Sequence, residues 1–364
     1  MTITMHHIAI QIERGGLQFG HQKRTSFMGI DIAIDLGTSR TRIFLPDKGV
    51  VIDEPSVITV DLMTDAIIAV GQKAYEMLGR TSERMSAMYP LSGGVITDFS
   101  LVENMIKIML SGISIGKVGM PKVVACIPSE ITEVEKRAVV NAISSAGIRR
   151  VCLVEEPVAA AMGAGIDITS PHGSMVVDIG GGTTDIAVLS LGGISVSRSI
   201  KKAGNAIDDE IIKYVKKKYN LLIGKRTAEN AKIAVGCVGN IGENKTFRLK
   251  GRNCVTGMPM QTDISSYEIS DILVDIITEI VYQVQDVLEE TPPELMGDIY
   301  SDGIILTGGT AQLKGMAEII NAVTKIKVRV ADNPSLCVVK GCGEALKYIK
   351  AFEKGELSPI SEQY

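Results

Sequence analysis

The sequence predicts an α/β protein of two domains with a cleft between them. Three observations carry this: a strand, glycine turn and strand unit that occurs twice, amphipathic helices around and after the copies, and a third glycine turn towards the end. The first copy is IAIDLGTSRTRIFL. Apolar residues at 30, 32 and 34 alternate with others, Gly37 and Thr38 make a turn, and a second strand begins near Arg42. The second copy, VVDIGGGTTDIAVL, repeats the order of apolar strand, Asp, apolar residue, glycine turn, Thr and apolar strand, and its Asp178 follows Asp35 by 143 residues. One such unit per domain would set two hairpins face to face.

Between the hairpins, EITEVEKRAVVNAISSAG predicts a helix. Thr132 and Glu135 match a capping box, Val134, Ala138 and Ala142 share a face, and Gly147 supplies the stop. RRVCLVEEPVAAAMGAGI reads as a short strand entering a helix with Pro157 in its first turn and small residues along it, which permit close helix crossing. Ile269, Ile272, Leu273, Ile276, Ile277, Ile280, Val281, Val284 and Leu288 keep the helical period until Pro292 and Pro293 end it. DGIILTGGTAQLKGMAEIINAVTKI then gives strand, glycine turn and helix. Residues 238–263, rich in Gly, Asn and Lys, are less periodic and are expected to belong to a small subdomain.

Composition narrows the function. With 364 residues, 45% apolar and 22% charged, the chain can bury a sizeable core, and its net charge of −4 supplies no overall field to collect nucleic acid. The run Lys216, Lys217 and Lys218 sits in a helical pattern and reads as a solvated face. Cys126, Cys152, Cys237, Cys254, Cys337 and Cys342 follow no disulfide or metal spacing and read as reduced thiols. His6, His7, His21 and His172 are too few in the body of the chain for a zinc site or a histidine triad, so any metal should be held by oxygen. No apolar run reaches the roughly 18 residues of a spanning helix. Residues 1–27 lack a secretion-signal layout and are expected to be a disordered tail or extension.

The glycine turns carry the chemistry. Consecutive backbone N–H groups can satisfy phosphate oxygens where no Cβ blocks approach, as at Gly180, Gly181 and Gly182, and Thr38 and Thr183 add hydroxyl donors. Asp35 and Asp178 would repel phosphates unless a Mg²⁺ ion lay between, and that ion is commonly held by one or two carboxylates plus phosphate oxygens. Asp, Gly and Thr are also ordinary turn formers, but duplication and the third turn at Gly308 and Gly309 argue for phosphate binding. Neither a Walker loop nor a Rossmann GxGxxG is present.

The ordered set DLGT, EEPVAAAMGAG, DIGGGTTD and LTGGTAQLKG resembles the actin, sugar kinase and heat-shock chaperone superfamily. EPSVI, AVGQKAYEMLGRT, GVITDF, ITEVEKRAVV, SMVVDIGGGTTDIAVLSLGG, KKYNLLIGKRTAE and TPPEL are similar to the MreB-type bacterial actins, from Met28 almost to the end. The resemblance implies an actin-like ATPase fold of two duplicated ribonuclease-H-like domains, each with a small subdomain, and Mg-ATP between them. The expected divisions are 28–60, 98–172 and 335–364 for the first domain with 61–97 inserted, and 173–206 and 263–334 for the second with 207–262 inserted.

By the same resemblance, Asp35, Gly37, Thr38, Ser39 and Arg40 form the first phosphate loop and Asp178 with Gly180, Gly181, Gly182 and Thr183 the second. Asp35 and Asp178 would hold the metal, Glu229 and Lys232 lie beside the nucleoside, and Gly308, Gly309, Thr310 and Ala311 form the adenosine loop. Glu156 would orient the attacking water, with Thr183 as a catalytic neighbour, while Glu155 reads as structural. Ser39 and Arg40 depart from the usual DLGTANT, Glu130 from PSGIT and Thr310 from GGGA. Arg40 either bridges a phosphate or points to solvent.

The resemblance further implies slow ATP hydrolysis, polymerisation into paired protofilaments, and a cytoplasmic, peripheral position at the inner face of the membrane, with the cell-wall elongation machinery as partner and rod shape as outcome. Ile113, Ile115, Val118 and Met120 are the expected membrane contact. A specialised filament paralogue for another cargo is the alternative. A sugar kinase would need a catalytic Asp and a polar acceptor pocket that the sequence does not show, and a chaperone ATPase a substrate-binding domain after the nucleotide module.

Overall fold

The computed structural model describes residues 31–113, 121–148, 150–239 and 242–349. The expected extension at 1–27, the candidate membrane segment beyond Ile113, and the last residues assigned to the first domain lie outside the described residues.

Two five-stranded mixed sheets share one plan. In the first, the strand order is Arg150–Glu155, Lys122–Ile127, Ile32–Leu36, Arg40–Leu45, Gly49–Pro55, with the first three parallel and the last two added as antiparallel hairpins. In the second, Val328–Val330, Ile304–Thr307 and Ser174–Ile179 are parallel, and Thr184–Ser190 and Gly193–Ile200 follow as hairpins. The duplication read from two short motifs therefore extends to whole sheets. Alternation at 30, 32 and 34 understated the burial of the first strand, because every residue of Ile32–Leu36 is buried. Ile32, Ile34 and Leu36 face the core beneath the helices Phe99–Ser111 and Glu133–Ser145, while the small Ala33 packs on the opposite face.

That opposite face is where the domains join. The helix Glu156–Gly163 and the helix Cys337–Ala345 pack with residues of both sheets, among them Val124, Val154, Val176 and Leu189. Their approach explains the small residues. A Cβ on Gly163 would stand 1.8 Å from the Cys337 carbonyl oxygen, and one on Gly341 1.7 Å from that of Ala159, distances no side chain tolerates.

The helix caps follow their sequence signatures. Thr132 and Glu135 close a reciprocal capping box on Glu133–Ser145, and Gly147 adopts positive φ just past the end. The apolar face of this helix differs from expectation: Val134 is 78% exposed, and Val139, Val140, Ala142 and Ile143 are the buried set. Val134 belongs to the first turn, which runs ahead of the packed stripe. The helix Ser266–Glu290 is buried along the expected positions, apart from a partly buried Ile272, and ends before Pro292.

Each domain carries a three-stranded sheet, Ile67–Val70, Ile58–Asp61 and Met85–Met88 in one, Leu221–Leu222, Thr246–Asn253 and Pro259–Ser265 in the other. Lys216, Lys217 and Lys218 are exposed as expected, and all six cysteines are free thiols, five of them buried.

Candidate functional site

The two glycine turns meet. Gly204 and Asn205, at the start of the helix Gly204–Tyr219, donate backbone hydrogen bonds to the carbonyl oxygens of Gly180 and Gly181, which fixes the second turn. Ser39 Oγ of the first turn donates to Asn205 Oδ1 at 3.1 Å. A Cβ on Gly181 would lie 2.0 Å from Ser39 Oγ and one on Gly182 2.3 Å from Thr38 Oγ1, so neither position has room for a side chain. The third turn closes in from below. Gly308 has φ +85° and sits so near the Ile179 backbone that a Cβ would be 2.3 Å from its oxygen, and Thr310 donates to the Gly180 carbonyl at 2.7 Å.

Together the turns wall a cavity of about 700 Å³ between the domains. Asp35, Gly37, Thr38, Ser39, Arg40, Glu156, Asp178, Gly180, Gly181, Gly182, Thr183, Glu229, Lys232, Gly308, Gly309 and Thr310 all line it. Ala311 does not: it is buried in the second domain's core, under the loop it belongs to. Glu155 is off the wall as well, at the end of its strand. Arg40 lines the cavity and pairs with Asp53, Nε to Oδ1 at 2.6 Å, and also donates to the Asp53 carbonyl. Lys232 bonds Asp208 and the Gly204 carbonyl at 2.9 Å each. Glu229 accepts a hydrogen bond from the Tyr75 hydroxyl, which links the two small subdomains over the cavity, and Arg226 lies against the Tyr75 ring.

Acid groups crowd the floor. Asp35 and Asp178 are 5% and 4% exposed, at matching places in the two hairpins. Asp35 has a partner on each oxygen, the Arg42 guanidinium at 3.2 Å on Oδ2 and the Cys126 thiol at 3.4 Å on Oδ1. Asp178 accepts from Thr307 Oγ1 at 2.6 Å on Oδ1, and Oδ2 has no hydrogen-bond partner among the described residues. Burial pushes the Asp178 carboxyl up to about 7 against the Thr307 bond, with the charges of Asp185 and Asp35 adding to the rise. Burial first, then the neighbouring Asp185, Asp178 and Asp35, holds the Glu156 carboxyl well above the usual range.

Two buried carboxylates with a free oxygen between side-chain-free turns suit a hard divalent cation bound to phosphate oxygens, so this donor set fits Mg²⁺ with a polyphosphate. Arg42, Asp53 and Asn205 also line the site and were not among the residues expected there. Arg42 could have been found, since a hairpin turning at Gly37 and Thr38 puts it opposite Asp35.

A sequence profile described as MreB/Mbl protein matches residues 29–354. The chain belongs to the MreB/Mbl family. Among its MreB/Mbl relatives, the cell shape-determining protein Mbl of Bacillus cereus is 44% identical over 328 residues, covering 90% of this chain and 98% of the relative. The MreB 5 structure of Spiroplasma citri bound to AMPPNP superposes with a TM-score of 0.86 at 36% identity, covering 91% of this chain and all of that one. The ADP-bound structure gives 0.85 at 37%, covering 90% and 98%. The fold of this MreB/Mbl member is therefore actin-like, as its repeated hairpins imply.

Proposed function

We propose that the protein is a cell-shape filament ATPase that binds Mg-ATP between its domains and hydrolyses it slowly as it polymerises at the inner membrane surface, where it organises wall synthesis. One observation carries the nucleotide reading: the two hairpin turns, with an acid at each mouth, converge on a cavity that holds all but one of the residues assigned to phosphate, metal and nucleoside. The AMPPNP and ADP in the Spiroplasma citri structures support it, and the cell-shape role is supported by the relative's name. In this reading membrane contact is peripheral; among the described residues no helix is long and apolar enough to cross a membrane.

In the mechanism, the backbone N–H groups around Gly37 to Ser39 and Gly181 to Thr183 donate to the phosphate chain, the Gly180 N–H being held by the Thr183 carbonyl within the turn. Mg²⁺ would sit at the acid pair Asp35 and Asp178, where its charge would offset that of the phosphates and withdraw electrons from the γ-phosphoryl group. Lys232 and Glu229 face the nucleoside, and Gly308, Gly309 and Thr310 take the base side. Glu156, on the first turn of its helix, aligns water and accepts its proton, and Thr183, which lines the same cavity, assists it at the hydrolytic end.

Glu156→Ala should bind AMPPNP within about threefold of wild type while single-turnover ATP hydrolysis falls on the order of 100-fold or more. Equal hydrolysis by the two proteins would remove the assignment. Sedimentation with ATP, ADP or neither, with and without anionic vesicles, tests the filament and membrane parts. Pellets that are independent of nucleotide, or vesicles that leave the protein in the supernatant, would each remove one part.

A further inference from the structure

The two acids on the cavity floor are alike in fold and unlike in charge environment. Asp35 faces Arg42 across its hairpin, and the Arg42 side chain is only 12% exposed, so this pair is shielded from solvent. Arg42 is in turn 3.1 Å from Asp53, which also holds Arg40. Asp178 occupies the same hairpin position, but its cross-strand neighbour is Asp185, a second buried acid. No cation lies within salt-bridge distance of Asp178 among the described residues, and its Oδ2 is open to the cavity side. A carboxylate already neutralised by a shielded guanidinium gains little from a divalent ion, and drawing the ion close brings it towards the arginine charge.

Resting on the Mg-nucleotide reading above, we propose that Arg42 is a built-in counter-ion for Asp35, so that Asp178 alone is the acid that takes the phosphate-bound divalent cation. The twofold clamp is symmetric in backbone and asymmetric in metal binding. Arg42 acts through Asp35, as a positioning residue that decides which acid faces the ion.

The test is isothermal titration of AMPPNP into the full-length protein, in EDTA and across a Mg²⁺ series, for wild type, Arg42→Gln, Asp178→Asn and the double variant. The quantity read is the ratio of affinity at saturating Mg²⁺ to affinity in EDTA. Wild type is expected to show a ratio on the order of tenfold or more, Asp178→Asn a ratio near one, and Arg42→Gln a ratio above wild type because Asp35 is released. The decisive arm is the double variant, in which the freed Asp35 should restore a Mg²⁺ dependence that Asp178→Asn alone has lost. A double variant indistinguishable from Asp178→Asn would overturn the proposal. So would an Arg42→Gln protein that loses affinity in EDTA with its ratio unchanged, since arginine would then be binding phosphate directly. Wild type that binds AMPPNP equally with and without Mg²⁺ sinks this proposal and leaves nucleotide binding intact, whereas no heat under any condition from folded protein sinks the nucleotide reading itself. Far-ultraviolet circular dichroism and a melting curve on each variant establish that the protein titrated is folded.

Discussion

The hairpin at Asp35 and the hairpin at Asp178 have the same turn, the same sheet position and the same burial, yet one acid faces an arginine and the other an aspartate. Backbone duplication therefore does not duplicate chemistry. Cross-strand neighbours on a buried face are a few ångströms apart, so one substitution there resets the electrostatics of the whole unit while leaving its hydrogen-bond ladder intact. The first hairpin carries an alternating ladder of charge, from Asp35 to Arg42 to Asp53 to Arg40. The second sets acid against acid, Asp178 opposite the buried Asp185, and Glu156 from the neighbouring helix feels the charge of both. A site needing a cation would draw it to the second.

The largest expected effect comes from breaking the frame that holds the two hairpins opposite one another. Gly341→Ala would drive a methyl group to 1.7 Å from the Ala159 carbonyl oxygen at the helix crossing between the sheets. Backbone atoms on both sides leave nothing flexible to move, so a loss of about 3 kcal/mol or more, or no soluble protein, is expected in urea melts. A Gly341→Ala protein as stable as wild type would mean that the helices are not in fixed contact and that the hairpins need not face each other as described.

A smaller effect should follow from making the second hairpin less acidic. Asp185 is fully buried, and its Oδ2 accepts no hydrogen bond. Burial raises its carboxyl above the ordinary 3.8, opposed by the nearby hydroxyls of Ser199 and Thr183 and by the hydrogen bonds that Ser129 donates to Oδ1. A raised acid binds more protons folded than unfolded, so wild-type stability should increase as pH falls from 8 through the raised value and level off below 3.8. Asp185→Asn keeps the shape and removes the charge, and at pH 8 in EDTA it should stabilise the protein by roughly 1–3 kcal/mol. The gap between the two proteins should narrow on acidification. Wild type proving the more stable at pH 8 would show that Asp185 is held charged by something the second hairpin does not reveal.

How far the sequence foretold this contrast depends on the kind of contact. Asp35, Asp178, the glycines and Thr38 were legible because hairpin chemistry is local: the residues that make the turn are the ones that line the cavity. Arg42 was within reach, since register follows from turn length, but only when the hairpin is drawn as a pair of strands and each residue's opposite number is asked for. Asn205 and the Tyr75 to Glu229 link were out of reach, because they join segments 166 and 154 residues apart whose meeting depends on how the domains close. Val134 and Ala311 show the opposite failure, in which a local pattern was followed one position too far: helical spacing runs past the packed stripe, and a loop motif runs past the residues that reach the cavity. The fold class and most of the site came from short motifs; the charge asymmetry came from side chains that no motif contains.

The gentlest probe of the comparison is Arg40→Ala. Arg40 and Arg42 both contact Asp53, but the Arg40 side chain is 39% exposed, and an exposed ion pair contributes about 0–1 kcal/mol once screening and side-chain entropy are counted. The Arg42 Nε lies within reach of Asp53 Oδ1 without making a hydrogen bond to it, so a carboxylate freed from Arg40 can turn towards Arg42 and recover part of the loss. Melting temperature should therefore fall by less than about 3 °C, and the fall should shrink further in 1 M salt. The Mg²⁺ dependence of AMPPNP binding should not move, because the Arg42 to Asp35 pair stays closed. A large drop in stability, or a change in that dependence, would show that the ladder works as one cooperative unit and that the counter-ion to Asp35 is the whole chain of charges rather than Arg42.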